Sequence, residues 1–459
     1  MDEQFNSGEN MDLDIGNEEG FFTRNYHKLL SLNKKTLYII GVSLLAFIIL
    51  LIIIIAICTS GGDDDDKKDS EKDDQREEEN PGEEEDEKEE LDQKLGNYSL
   101  KGIYNSYNDY ETVQLLNDSF KDYITDMEIE GEKVNPSSSY QFKNKGNHTV
   151  YMKLNTQNLV SFDKLFYHIK KLVSITFSQN LTTNNIVSME RMFVSCSQLL
   201  FVDMSHLDVE NVKSFDYLFS YAKLLNEVKL PKSKVSKLES ANYMFEGCKE
   251  LTSINFKKFI VDSKNLKSLH GSFDGCQSLK YINLSNFNTE ETTDMGELFA
   301  DCYSLTSIDF SKIKTNKLEL MSKMFYRCKN LEKLDLTNFS TNNVKKMEFL
   351  FYNCSLLKSI NISSFKTDNL LTMDSMFSGC SSLTSVDLSG FNTDKVTNMM
   401  STFASCNNLV YLDISHFSAQ ADFFDFFTSL PNSGIIKLNN KVNEKIQSSI
   451  PSGWKKEFV

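Results

Sequence analysis

From about residue 160 onward the apolar positions recur in blocks that read Phe-x-x-Cys-x-x-Leu-x-x-Ile-x-Leu. With the Cys slot as origin, the blocks are anchored at Ile169, Cys196, Ala222, Cys248, Cys276, Cys302, Cys328, Cys354, Cys380 and Cys406. The steps between them are 27, 26, 26 and 28 residues, then 26 five times. Phe stands three residues before the origin and Leu three after it in all ten units, from Phe166/Leu172 to Phe403/Leu409. The Leu-x-x-Ile-x-Leu end alternates with period two, which predicts a short parallel strand. Ahead of it, Met373, Met376, Phe377 and Cys380 fall at i, i+3, i+4 and i+7. That spacing predicts one buried stripe of a short helix or 3₁₀ turn. A fixed period of this length makes a solenoid, because each unit buries its apolar face only against its neighbours.

Strand plus short helix in about 26 residues is the leucine-rich-repeat plan. The fold expected is therefore an α/β solenoid, a leucine-rich-repeat stack of about ten units over residues 161–417. The run Met376-Phe377-Ser378-Gly379-Cys380-Ser381-Ser382-Leu383-Thr384-Ser385-Val386-Asp387-Leu388-Ser389-Gly390-Phe391-Asn392-Thr393 resembles the repeat of BspA-like leucine-rich-repeat surface proteins. The resemblance extends over roughly residues 160 to 417 and departs from the Cys slot only at Ile169 and Ala222. It implies a cell-surface protein that adheres to or recognises a protein or glycan.

Residues 37–58 carry no charge and are mostly Ile and Leu. As a helix they span ~33 Å, enough for one crossing of a bilayer core. Arg24, Lys28, Lys34 and Lys35 precede this segment, while Lys67, Lys68 and Lys72 follow it at a distance. The balance favours a cytoplasmic tail over residues 1–36 and repeats outside the cell at the plasma membrane, a type II arrangement. Eight Asn-x-Ser/Thr sequons lie beyond the segment, close to what chance gives a chain of this composition. Residues 59–95 form a stalk: between Asp63 and Lys94 stand 19 acidic and 6 basic residues, a run that self-repels and stays extended. Most of the net charge of −16 resides there, and the repeats are close to neutral. A neutral repeat region lacks the basic stripe that nucleic acid requires.

Solenoids need covers at both ends. Residues 96–160 read as a β-rich N-terminal cap, with one hairpin at Met127–Val134 and a second joining Tyr140–Phe142 to Val150–Leu154. Residues 418–459 read as a degenerate repeat at Phe423–Leu430, a strand at Ile435–Leu438, a helix at Val442–Ile450, and Trp454 over the last coil.

The chemistry on offer is that of binding. Eight of the nine Cys lie on the repeat lattice, either as a disulfide framework or as a buried thiol column, and their parallel stacking favours thiols. No Cys-x-x-Cys pair, His pair, phosphate loop or nucleophile elbow occurs, so no catalytic centre, metal site or cofactor is expected. The residue between the last two apolar positions of each strand is expected to face outward. That column runs Thr176, Asp203, Lys229, Asn255, Asn283, Asp309, Asp335, Asn361, Asp387, Asp413. With the column beside it, it nominates Phe201, Tyr281, Asp309, Asp335, Asp387, Tyr411 and Asp413 as a ligand face suited to a basic patch. The alternatives are a solvated sheet without a ligand, and a structural scaffold with its repeats in the cytosol.

Overall fold

A computed structural model describes residues 95, 97–417, 422–439 and 444–459, all within one compact unit, Asn80–Val459. The tail 1–36, the apolar segment 37–58 and nearly all of the stalk 59–95 lie outside the described residues. Among the described residues no helix is long and apolar enough to cross a membrane.

The repeats form a β-solenoid whose coils follow the register read from the sequence. Three-residue strands pair in parallel, in register between neighbouring coils, as in Tyr281–Asn283 with Ser307–Asp309 and Ser385–Asp387 with Tyr411–Asp413. The ladder on this side is intermittent. It breaks at the 28-residue fourth coil, where Ile254–Phe256 form no strand and Lys234–Val235 pair instead with Ile260–Val261.

The short helix expected ahead of each Cys is absent. That segment is a chain of turns in every coil, with left-handed residues at five and one positions before the origin, for example Arg191 and Ser195, or Lys323 and Arg327. Alternate N–H groups close turns within the coil, and the others reach across to the next coil. Lys323, Phe325 and Arg327 donate to the carbonyls of Glu348, Leu350 and Tyr352 at 2.8, 3.0 and 2.7 Å. The same bonds recur between all coils, from Phe162→Ser188 to Ser405→Thr428. A helix would spend these N–H groups within its own segment; turned along the solenoid axis, they bond the coils together. The helical spacing of apolar residues was real, and Met373, Met376, Phe377 and Cys380 are all buried, but it reports one inward face and not a helix.

The core consists of columns. The ten Phe rings of the −3 column stack in one run from Phe166 to Phe403, with centroids 5.2 to 6.0 Å apart. Beside them stand the eight repeat Cys, all buried and all free thiols. Each donates its S–H to the carbonyl oxygen of the Phe one coil back, as in Cys302 to Phe273, Cys328 to Phe299 and Cys354 to Phe325, all at 3.1 Å. Burial raises the pKa of these thiols, that of Cys354 to about 12. A third column holds buried Thr289, Thr315 and Thr341, whose hydroxyls accept from a main-chain N–H of the next coil and donate to a carbonyl there. Every inward polar group in these columns thus has a partner one coil away, as burial demands.

Both ends are closed by sheet. Strands β1 (Leu100–Ser106), β2 (Glu111–Gln114), β3 (Ile124–Ile129), β4 (Glu132–Val134), β5 (Ser139–Phe142) and β6 (Gly146–Leu154) build the N-terminal cap. β1 pairs antiparallel with the first coil's strand β7 (Leu172–Phe177), so cap and solenoid share one sheet. The β3–β4 hairpin lies where the sequence placed it. The second expected hairpin does not form: β5 pairs with β2, and β6 lies between β1 and β3. At the other end Phe423–Leu430 makes an eleventh turn segment with left-handed Asp425 and Ser429, and the strand Gly434–Leu438 pairs with Tyr411–Asp413. Helix Glu444–Ser449 then leads to a strand absent from the sequence reading, Trp454–Phe458, which pairs in parallel with Gly434–Leu438. Trp454 is buried against this end and donates its ring N–H to the Pro431 carbonyl at 2.8 Å.

Candidate functional site: the strand face and the turn face

The sequence nominated the strand face, and the structure gives its Asp/Asn column a local task. Oδ1 of each such residue accepts the main-chain N–H two residues on: Asp203 from Ser205, Asp309 from Ser311, Asp335 from Thr337, Asp387 from Ser389 and Asp413 from Ser415, at 2.9 to 3.0 Å. Asn255, Asn283 and Asn361 do the same. These Asx turns end each strand and start the descent to the next corner. The Thr337 N–H and then its hydroxyl hold the Asp335 carboxyl below its usual pKa, and the Ser389 hydroxyl and then its N–H do so for Asp387.

The seven nominated residues are dispersed over coils 2 to 10, about 40 Å at the spacing of paired strands. Tyr281, Asp335 and Asp387 are exposed, and Asp309 is half-buried. Asp413 stands on the same face, in register with Asp387, but is buried, with Lys437 of the next strand paired beside it and its Nζ at 3.7 Å. Phe201 and Tyr411 are half-buried under cations of their own chain, Lys229 at 5.7 Å and Lys437 at 5.6 Å from the ring centroids.

The turn face carries more chemistry and was missed in the sequence. Its side chains come from the left-handed residues and their neighbours, which the helix expectation had treated as the solvated side of a stripe. Arg191 lies 4.8 Å over the Tyr217 ring, Tyr217 stacks on Tyr243 at 5.0 Å, and Tyr243 meets His270 edge-on. His270 Nδ1 is 3.2 Å from Asp294, its Nε2 is 3.6 Å from Glu297, and Glu297 pairs with Lys323 at 2.7 Å. Hydrogen bonding to Asp294 and then Glu297 raises the His270 pKa to about 9, and His270 holds that of Glu297 down at about 2. Further along, Arg327 lies over Tyr303 and Tyr326, and Tyr326 stacks on Tyr352 at 5.1 Å. Arg327 Nη1 is also 3.0 Å from Asp301 Oδ1, an ion pair at an angle that makes no hydrogen bond and leaves that enclosed oxygen without one. One signal for this face was present in the sequence. None of the 22 left-handed positions in the eleven turn segments is Val, Ile, Thr or Pro, the residues least able to adopt positive φ.

In the cap, Ser106 Oγ lies 2.9 Å from His148 Nε2, and His148 Nδ1 lies 2.7 Å from Glu130. The distances are those of a hydrolytic triad, but the setting is that of a strut. Ser106 is 2% exposed, its hydroxyl also donates to the Asn144 carbonyl, and His148 is stacked flat on Phe142. The next two N–H groups, of Tyr107 and Asn108, are both taken by the Glu111 carboxylate. Near the cap a shallow polar depression of about 510 Å³ is lined by Lys153, Asn155, Gln157 and Asn185. No group of three or more His, Cys, Asp or Glu suited to a metal occurs among the described residues.

Regular coils, intercoil ladders and two long side-chain faces define the class, a solenoid repeat protein. The chain belongs to the family described as Mycoplasma protein of unknown function, DUF285, which it matches over residues 136–259, 252–358 and 330–432. A comparison with curated proteins finds no match. Among solved structures the chain is similar to one titled "Crystal structure of TLR13-ssRNA13 complex", at 15% identity and a TM-score of 0.21, over 65% of this chain and 52% of that one. The chain thus spans about half the length of that receptor chain.

Proposed function

We propose that this chain is a single-pass membrane protein whose stalked repeat domain recognises a protein or glycan outside the cell, in the manner of BspA-like surface proteins. The observation that supports this reading best is how the solenoid uses its polar groups. Thiols, Thr hydroxyls and turn N–H groups are spent between coils, and what remains is two long faces of exposed and half-buried side chains. Extended faces of this kind suit a macromolecular partner, whereas small-molecule chemistry favours an enclosed cleft. The apolar segment 37–58 and the acidic run 63–94 fit an anchor and a spacer that holds the repeats off the bilayer.

The test is protease protection on intact cells carrying an epitope tag at each end. Loss of the C-terminal tag with retention of the N-terminal one is expected. A C-terminal tag that survives until the cells are permeabilised would overturn the surface role and favour a scaffold with cytosolic repeats.

A further inference from the structure

Charges on the solenoid surface are largely paired between successive coils, and the turn face holds a carboxylate, Asp274, that is not. In the outer columns, successive coils pair opposite signs: Lys213 with Glu239, Lys267 and Lys317 with Glu291, Glu319 with Lys345, Glu332 with Lys358. On the turn face, Glu297 and Asp301 also have their cations, Lys323 and Arg327. Between them and the N-terminal coils, Glu246 and Asp274 occupy the same slot of coils 4 and 5 with no cation on either. Glu246 accepts the Ser220 hydroxyl at 2.8 Å and is hydrogen-bonded to Tyr221, whose pKa it raises, while the Asp274 side chain makes no hydrogen bond or ion pair among the described residues.

The surface around these two carboxylates is open and aromatic. Tyr221, one coil before Glu246, is 46% exposed, the most exposed ring on this face in coils 2 to 8. Its ring lies on Gly247, where a Cβ would come within 3.0 Å of it, and a Cβ on Gly271 would come within 2.4 Å of the Tyr243 ring. Gly275 sits directly on Gly247, with nothing but that backbone in reach of a Cβ. Three left-handed slots are thus glycine here, and the rings of Tyr221 and Tyr243 cover two of them. Elsewhere on this face Arg191, Arg327 and Lys329 already lie over tyrosine rings, so rings in this setting do hold cations.

We propose that the turn face of coils 3 to 5 docks a basic segment of a partner protein, its Arg or Lys side chains stacking on Tyr221 and pairing with Glu246 and Asp274. This deepens the recognition reading above and rests on it. Charge complementarity selects the occupant: carboxylates without an ion pair favour a basic segment over an acidic one. Tyr is also among the residues that concentrate binding energy at interfaces. Burial, then Glu297, Asp301 and Glu246, raise the Asp274 pKa to about 7, with Lys323 opposing. A docked cation draws that proton off, so binding near neutral pH releases protons.

The test uses the full chain in detergent micelles and a fluorescein-labelled (Gly-Arg)₄ peptide followed by anisotropy, with (Gly-Glu)₄ and (Gly-Ser)₄ as controls. Selective binding of the Arg peptide is expected, weakened at least tenfold by Glu246→Gln with Asp274→Asn and by Tyr221→Ala. The strand-face pair Asp335→Asn with Asp387→Asn should leave it unchanged. Calorimetry at pH 7 in buffers of different ionisation heat should show proton release in the wild type and less in Asp274→Asn. Absence of Arg-peptide binding, equal affinity in the turn-face variants, or a loss confined to the strand-face pair would each overturn the proposal. Protease protection reads the other question independently: internal repeats would end the surface role and leave a positive peptide result standing.

Discussion

Replacing Phe325 by Ala removes a ring from the middle of the Phe stack. The ring is fully buried, with Phe299 at 6.0 Å on one side, Phe351 at 5.6 Å on the other and Phe310 edge-on at 6.2 Å. Truncating a buried Phe costs about 3–5 kcal/mol, in which the two stacked contacts account for about 1–3 kcal/mol. In a solenoid that loss falls on the two interfaces of one coil, because stability sums over coils and nearest-neighbour contacts. A weakening of about 4 kcal/mol amounts to roughly a thousandfold in the opening equilibrium. It should appear in hydrogen exchange as lost protection at the intercoil N–H groups that join coil 7 to coils 6 and 8, among them those of Phe299, Lys323 and Phe325. Coils 1 to 3 and 10 should keep their protection. Phe325→Leu, which keeps the burial and gives up the stacking, should cost about 1–2 kcal/mol. The reasoning fails if protection drops equally in every coil, or if urea unfolding of Phe325→Ala shows a loss below about 1 kcal/mol.

Three further outcomes follow from the columns. With maleimide, the eight repeat thiols should stay unlabelled in the native chain and all react in denaturant without reductant; four disulfides in their place would leave none of these eight to label. Asp335→Asn should leave the urea midpoint unchanged, since Asn makes the same turn, whereas Asp335→Ala should lower it. Equal losses in both would show that the charge, and not the Asx turn, is what the column supplies. The third concerns pH. The Asp274 pKa rises from its ordinary 3.8 to about 7 on folding, so between those values the native state holds a proton that the unfolded chain has lost. Stability from this group is present below about pH 4 and is lost as pH rises to about 7, by about 2 kcal/mol once solvent screening of its exposed part is allowed for. Asp274→Asn should flatten that slope, and an unchanged slope would place the titration elsewhere.

Much of the core was legible because each column repeats one residue type ten times. Phe, Cys and Leu at fixed offsets gave the solenoid, its register and its buried residues, and the free thiols followed from side chains that stack in parallel. The candidate site was only partly legible. The strand face is where the alternation placed it, yet the Asp ladder looked like a charge pattern when it is a turn device, since an Asx bond to the i+2 N–H leaves no trace in periodicity. Asp413 looked exposed because alternation cannot know that a later strand will set Lys437 beside it.

The sequence by itself therefore determined the period and the inward columns, both of which depend on which side chains are apolar. Only the tertiary structure decided that the segment before each Cys is a ladder of turns and not a helix. The same i, i+3, i+4, i+7 spacing serves both, and the choice rests on where the backbone N–H groups find carbonyls. In a chain whose coils stack about 5 Å apart, the nearest carbonyls lie in the next coil. Bonding to them holds two residues per coil at positive φ, and these carry the side chains of the turn face outward.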